Sequence, residues 1–140
     1  MAIFKRNLTS KILEDTALEV LSKKSTCRKC LEVGCGDFNI SSNLFKNFPS
    51  WSFSGSDISD EAINIAVKND IKNIFDLRVG ELFEPWVGEK FDIIISDVAS
   101  ISEVVASYTD WYDGVSCNTG LDGMLLIEKI IISAKDHLLD

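Results

Sequence analysis

Residues 30–48 read CLEVGCGDFNISSNLFKNF, an apolar run, a turn with two glycines, and a segment of helical spacing that stops at Pro49. CLEVG has the length and composition of a short buried strand, GCGDFN is a turn, and ISSNLFKNF is a helix. A strand that passes through a tight turn into a helix is half of a βαβ unit, and its repetition downstream decides the fold. WSFSGSD (51–57) alternates Trp51 and Phe53 with serines at the period of a strand. Ser59 with Asp60 and Glu61 then marks a helix start, and Asp60–Asn69 puts Ala62, Ile63, Ala66 and Val67 on an inner face. FDLRV (75–79) alternates again, as a strand near a sheet edge does, and FDIIISD (91–97) is a fourth strand. Upstream, Leu8, Ile12, Leu13, Ala17, Val20 and Leu21 recur at helical spacing behind Thr9 and Ser10, either of which can cap that helix. Downstream, GLDGMLLIEKIIISAKDHLL (120–139) predicts a last helix starting near Asp122. One helix followed by alternating strands and helices predicts an α/β fold, a doubly wound, mostly parallel sheet.

The 140 residues, 46% of them hydrophobic, suit one domain with a real core and are too few for two. Fourteen basic against 22 acidic residues give a net charge of −8, which works against salt-driven binding to a phosphate backbone. No apolar run reaches the ~20 residues of a membrane span, and MAIFKRNLTS lacks the apolar core of a signal peptide, so the expected location is the cytoplasm. Cys27, Cys30, Cys35 and Cys117 read as reduced thiols rather than a disulfide framework. Cys27 and Cys30 have CxxC spacing, but no second pair or nearby histidine completes a zinc site, so no metal is expected. The run Ile93, Ile94, Ile95 predicts burial on both faces and a central strand, yet no strand is predicted after the last helix. A long apolar edge invites aggregation, so either the domain lacks its last strands in this sequence or a partner or second copy covers that edge.

Gly34 and Gly36 stand between a strand and a helix, where missing side chains let a ligand approach the backbone. The dinucleotide fingerprint G-x-G-x-x-G would close at Asn39, and Asp37 occupies the turn that would face a pyrophosphate. Two like charges roughly 4 Å apart repel by about 4 kcal/mol at an effective dielectric of about 20, so an inward Asp37 favours a ligand with positive charge. Asp57 ends the next predicted strand, where its carboxylate can accept both hydroxyls of a ribose, and Glu81 follows the third.

Glu32-Val33-Gly34-Cys35-Gly36-Asp37 resembles the first motif of class I S-adenosylmethionine (SAM) dependent methyltransferases. The resemblance extends over nearly the whole chain to the release-factor glutamine methyltransferases. KRNLTSKIL is similar to their R-x-x-T-x-x-L segment, with Arg6, Thr9 and Ile12 in the corresponding places, and SDISDEAINIAVKN, GELFEP and GLDGMLLIEKII match later segments. It implies SAM as cofactor, a sheet of about seven strands of which four are present here, and cofactor contacts at Glu32, Gly34, Cys35, Gly36, Asp57, Ile58, Glu81 and Leu82, with Glu81 beside the adenine. Phe38 departs from the pattern, which commonly has a third glycine there; its ring would either narrow the cofactor site or pack beneath it.

Where that family has Asn-Pro-Pro-Tyr after the fourth strand, this sequence has Asp97-Val98-Ala99-Ser100, so only the hydrogen-bond acceptor is kept. Methyl transfer from a sulfonium is an in-line displacement that needs alignment more than an enzymic nucleophile. Asp97 is therefore the candidate catalytic and acceptor-binding residue, able to align an N–H or O–H and take its proton. The alternative is that it caps the next segment. EVVASYTDWYDGVSCNTG (103–120) reads as a polar, turn-rich loop whose Trp111 and Tyr112 either wall a substrate pocket or only anchor the loop. His137, the single histidine, reads as a helix cap. The acceptor is an unidentified protein side chain or small molecule. The rival readings are a non-catalytic binding module that kept the fold, an NAD-binding oxidoreductase and an interaction subunit. SAM affinity without turnover, NAD affinity and solution mass separate them.

Overall fold

β1 (Lys29–Val33) is the strand around which the sheet is built, pairing in parallel with β2 (Ser52–Asp57) on one side and β4 (Ile93–Ser96) on the other. β3 (Asp76–Val79) pairs in parallel with β2, giving the order β3-β2-β1-β4. The computed structural model describes residues 6–26, 28–70, 72–112, 114, 115, 117 and 119–139. Around the sheet lie α1 (Leu8–Ser22), α2 (Asn39–Asn47), α3 (Asp60–Asn69), the short α4 (Glu103–Tyr108) and α5 (Leu125–Ala134), with a 3-10 turn at Glu84–Trp86.

The strand period of two divides the core. Cys30 packs with Ala17 and Leu21 of α1, Leu44 of α2, and Ile63 and Ala66 of α3. Leu31 and Val33 point the other way, into a cluster with Phe83, Trp86, Phe91 and Ile130 of α5. Helices therefore cover both faces, and the doubly wound parallel sheet expected from the sequence is present.

Several boundaries differ from the sequence expectation. Asn7, not Thr9 or Ser10, caps α1: its side chain accepts the N–H groups of Thr9 and Ser10, and Ser10 closes a capping box by accepting the N–H of Asn7. α5 begins at Leu125 rather than near Asp122, because the Asp122 carboxylate holds the Met124 N–H in a turn at 3.0 Å. It also ends earlier, at Ala134, after which the chain turns back along β4. Phe91 donates to His137 O at 2.8 Å and accepts from Leu139 N–H at 2.9 Å, a parallel bridge that continues the sheet. Apart from that bridge β4 is an edge strand among the described residues, so Ile93 and Ile94 are half-covered and only Ile95 is buried. This open outer edge is the one expected from the sequence, and the bridge at Phe91 lies on that side. The segment after β4 is not all loop, since Ser102 caps α4 through the Val105 N–H.

Candidate functional site

From β1 the chain moves outward through β2 to β3, then returns to β4 on the opposite side of β1. The crossovers part at the carboxyl ends of β1 and β4, where open parallel sheets leave a crevice. A cleft of about 330 Å³ opens there, within the size range of small-molecule sites. Glu32, Gly34, Cys35, Gly36, Asp57, Ile58, Glu81, Leu82 and Asp97 all line it, joined by Asp37, Arg6 and Ser10. No grouping of three or more metal-ligating side chains occurs among the described residues.

The glycine turn forms one wall. Gly34 and Gly36 have φ of 69° and 52°, a left-handed backbone that a side chain would strain, and a Cβ on Gly34 would stand 2.6 Å from Val98 Cγ1. The N–H groups of Gly34 and Cys35 both donate to Ser56 O, at 2.8 and 3.0 Å, while Gly36 donates to Asp57 Oδ2 at 2.9 Å. The other oxygen of Asp57 accepts the Ser59 N–H at 2.9 Å. Asp57 thus ties two turns together, and lone pairs on both its oxygens are left for a ligand.

Glu32 lies at the floor, 2% exposed, and accepts the Ser41 N–H from α2 at 3.1 Å. Burial pushes its carboxyl up to about 8; hydrogen bonding from Ser41 opposes that rise, and the charges of Asp37 and Asp97 add to it. Burial likewise raises the thiols of Cys35 and Cys30, leaving both as thiols rather than nucleophilic thiolates. Cys27 lies outside the described residues. Phe38, with φ of 63°, occupies the left-handed conformation that suits a glycine, and its 1% exposed ring is packed beneath the turn. A Cβ on Gly55 would meet that ring at 2.6 Å, and Phe75 meets it edge-on at 5.0 Å. The bulky residue is thus accommodated by a glycine on the neighbouring strand, without entering the cleft.

Glu81 and Leu82 come from the loop after β3, where Leu82 also has positive φ and its carbonyl accepts the Ser56 hydroxyl at 3.0 Å. Ile58, exposed, adds an apolar wall beside Asp57. Lys129 of α5 reaches within 3.9 Å of Glu81 Oε1.

Asp97 directly follows β4. Its Oδ2 accepts the Ser10 hydroxyl, and the Thr9 hydroxyl stands 3.4 Å from its Oδ1. Ser10 is 1% exposed and itself receives the Asn7 N–H, so a chain of donors runs from the start of α1 to the carboxylate. Arg6 on the same corner pairs with Glu14 at 2.5 Å. Beyond Asp97 a hydroxyl clip shapes the backbone: Ser100 Oγ lies 2.8 Å from Thr119 Oγ1, which donates to Gly123 O at 2.7 Å. Trp111 is 74% exposed, and neither it nor Tyr112 is among the cleft-lining residues; Val115 and Thr119 of the same segment are. His137 is not a helix cap: its ring stacks on Phe83 at 4.7 Å with Nδ1 3.1 Å from Glu89 O, because the chain has already turned back toward β4. Ser10, Thr119 and Lys129 are cleft residues that sequence reasoning did not place. Ser10 carried only a capping signal, and the other two carried none.

Residues 24–132 match the family model described as a methyltransferase domain. The chain is 33% identical over 118 residues to a release factor glutamine methyltransferase of Streptococcus pneumoniae, covering 79% of this chain and 42% of that protein. It is 26% identical over 116 residues to a ribosomal protein uL3 glutamine methyltransferase of Xylella fastidiosa, covering 78% and 34%. The chain therefore spans less than half the length of these curated relatives. Among solved structures it superposes on a ribosomal protein L11 methylase from Lactobacillus delbrueckii subsp. bulgaricus with a TM-score of 0.62 at 18% identity, covering 98% of this chain and 58% of that one. The plantazolicin methyltransferase BpumL, in complex with SAH, gives a TM-score of 0.60 at 19% identity, covering 94% and 43%. At such identities the likeness is one of fold. The chain belongs to the methyltransferase domain family, with the class I fold and a sequence similar to the release-factor and ribosomal-protein glutamine methyltransferases.

Proposed function

We propose that this chain performs SAM-dependent methyl transfer to a protein side chain. The observation that carries the reading is the convergence of Glu32, Asp57, Glu81 and Asp97 on one cleft at the topological switch point, around a turn of two left-handed glycines. That donor set fits the cofactor. It offers acceptors for ribose hydroxyls and negative charge for a sulfonium and an ammonium, whereas a dinucleotide's pyrophosphate would meet Asp37 and Asp57 in the cleft. When bound, SAM supplies an activated methyl group on a positively charged sulfur.

The residues divide the work by position. Asp57, held by two backbone N–H groups, accepts the ribose hydroxyls on its remaining lone pairs. Glu81, Leu82 and Ile58 border the adenine, Gly34, Cys35 and Gly36 give the ligand close access to backbone, and Glu32, whose raised carboxyl gives up its proton as the ligand enters, balances the ammonium. Asp97 orients the acceptor and takes its proton. The names of the curated relatives, which act on a release factor and on a ribosomal protein, support a protein acceptor.

Calorimetric titration with S-adenosylhomocysteine, with NAD as the control, tests the cofactor. Saturable binding of the first alone is expected, and binding of NAD instead would remove the assignment.

A further inference from the structure

We infer that Ser10 is a positioning residue for the transfer: its hydroxyl holds Oδ2 of Asp97 and leaves Oδ1 to meet the methyl acceptor. This rests on the methyltransferase reading above. Asp97 stands one residue past Ser96, the last residue of β4 paired with β1, and β4 has no further neighbour beside Ser96 among the described residues. The ladder therefore stops short of the carboxylate, and a second element has to fix its orientation. α1 does so. Its body is anchored by Ala17 and Leu21 in the core, and Ser10 in its first turn is 1% exposed, too buried for water to compete for the hydroxyl.

The protons at this corner can be traced. Ser10 Oγ accepts the Asn7 N–H at 3.2 Å to close the capping box, which uses a lone pair and leaves the hydroxyl proton unspent. Two acceptors are within its reach, Asn7 Oδ1 at 3.3 Å and Asp97 Oδ2. Asn7 Oδ1 already takes the Thr9 N–H at 2.9 Å, the Thr9 hydroxyl at 2.6 Å and the Ser10 N–H at 3.2 Å. The Ser10 proton therefore goes to Asp97, where the bond is charge-assisted. The Thr9 proton stays on Asn7 at 2.6 Å, since Asp97 Oδ1 lies 3.4 Å away. Oδ1 is thus left without a committed donor among the described residues, on a carboxylate that lines the cleft. The cap and the Asp97 bond use different parts of one hydroxyl, so the second is not a by-product of the first.

The assignment is indifferent to the acceptor's class, because an amine, a carboxamide NH2 and a hydroxyl can each donate to Oδ1. As the acceptor's lone pair bonds the methyl carbon, the carbon–sulfur bond breaks with its electron pair left on sulfur, and the acceptor's proton passes to Oδ1 and on to water. Misplacing such an alignment by about 1 Å costs on the order of a hundredfold in rate. The Ser10 proton is spent on Asp97, so its loss belongs in turnover and not in cofactor affinity.

The test uses the 140-residue chain, radiolabelled SAM and, as acceptor probe, an unfolded mixture of bacterial ribosomal proteins and release factor. Ser10→Ala should lower kcat by about tenfold or more, with KM for SAM and S-adenosylhomocysteine affinity held within about twofold. Ser10→Thr, which keeps the donor, should recover most of the loss, and Ser10→Cys, a weaker donor, should fall between Thr and Ala. Leu18→Ala loosens α1 against the core away from Asp97, and should lower the melting temperature while keeping kcat within about twofold. A Ser10→Ala kcat within about twofold of the wild type would overturn the assignment, as would a Ser10→Thr no faster than Ser10→Ala. An equal kcat loss in Leu18→Ala would reduce Ser10 to a structural cap and overturn it too. So would the absence of label from a chain that binds S-adenosylhomocysteine. Failure to bind S-adenosylhomocysteine would instead strike the cofactor reading beneath it.

Discussion

Replacing Glu32 with Gln should stabilise the protein and disable it, by an amount that grows with pH. Glu32 is 2% exposed, and burial raises its carboxyl from an ordinary 4.5 to about 8. Below 4.5 the group is protonated in both folded and unfolded chains. As pH rises through 4.5 the unfolded chain releases its proton while the folded chain keeps it, so stability falls by about 1.4 kcal/mol per unit until the folded group ionises near 8. The carboxyl's contribution is thus fully present below 4.5 and lost by about 8. At pH 7 the loss amounts to about 3 kcal/mol, which a glutamine, never ionising, does not suffer. Its amide oxygen can still accept the Ser41 N–H, and its NH2 group faces the field of Asp37 and Asp97 that opposes a carboxylate. Urea denaturation of both proteins between pH 5 and 8 should show the variant's advantage growing by about 3.5 kcal/mol, and its melting temperature at pH 7 should rise by roughly 10 °C. S-adenosylhomocysteine affinity should fall at the same time. A stability gap that stays flat across that pH range would refute the reasoning, since it would mean that the buried carboxyl ionises in the folded chain as it does in the unfolded one.

Other outcomes follow from the same geometry. Asp57→Ala removes the acceptor for Gly36 and Ser59 as well as the ribose contact, so S-adenosylhomocysteine affinity should drop at least tenfold by calorimetry. Gly34→Ala combines a φ of 69° with a Cβ 2.6 Å from Val98, and should lose about 2 kcal/mol or more in denaturant titration. Adding Val98→Ala should recover the steric part and leave the backbone part. Phe38→Ala should cost about 3 kcal/mol or more, and Gly55→Ala, which drives a methyl group into the same ring, about 1–3 kcal/mol. Because the buried Glu32 proton must leave if a ligand ammonium settles beside it, S-adenosylhomocysteine binding at pH 7 should release up to one proton. Titration in buffers of different ionisation enthalpy measures that release, and an identical heat in every buffer would contradict it.

Local pattern carried much of this protein into view. The apolar run into Gly34 and Gly36, the period-two alternation around Phe53 and the Ser59 cap each depend on residues close in sequence, so strands, helices and their alternation were legible, as were the acids at strand ends. Where the reading went astray, a distant partner had intervened. The triple isoleucine of β4 signalled an apolar strand with an edge left to cover, but not its neighbours: those depend on pairing with β1, Cys30 against Ile93, and on where the chain after α5 returns. At Phe38 the sequence left two outcomes open, a ring that narrows the cofactor turn or one that packs beneath it; Gly55, on another strand, is what lets it sink beneath. Ser10 read as a cap until folding brought α1 against the end of β4 and turned its hydroxyl to Asp97. The identity of the acids was therefore written in the sequence, because strand ends and turns are local. Their protonation, their remaining lone pairs and their company were decided by tertiary structure, because burial and hydrogen-bond partners are properties of space and not of order along the chain.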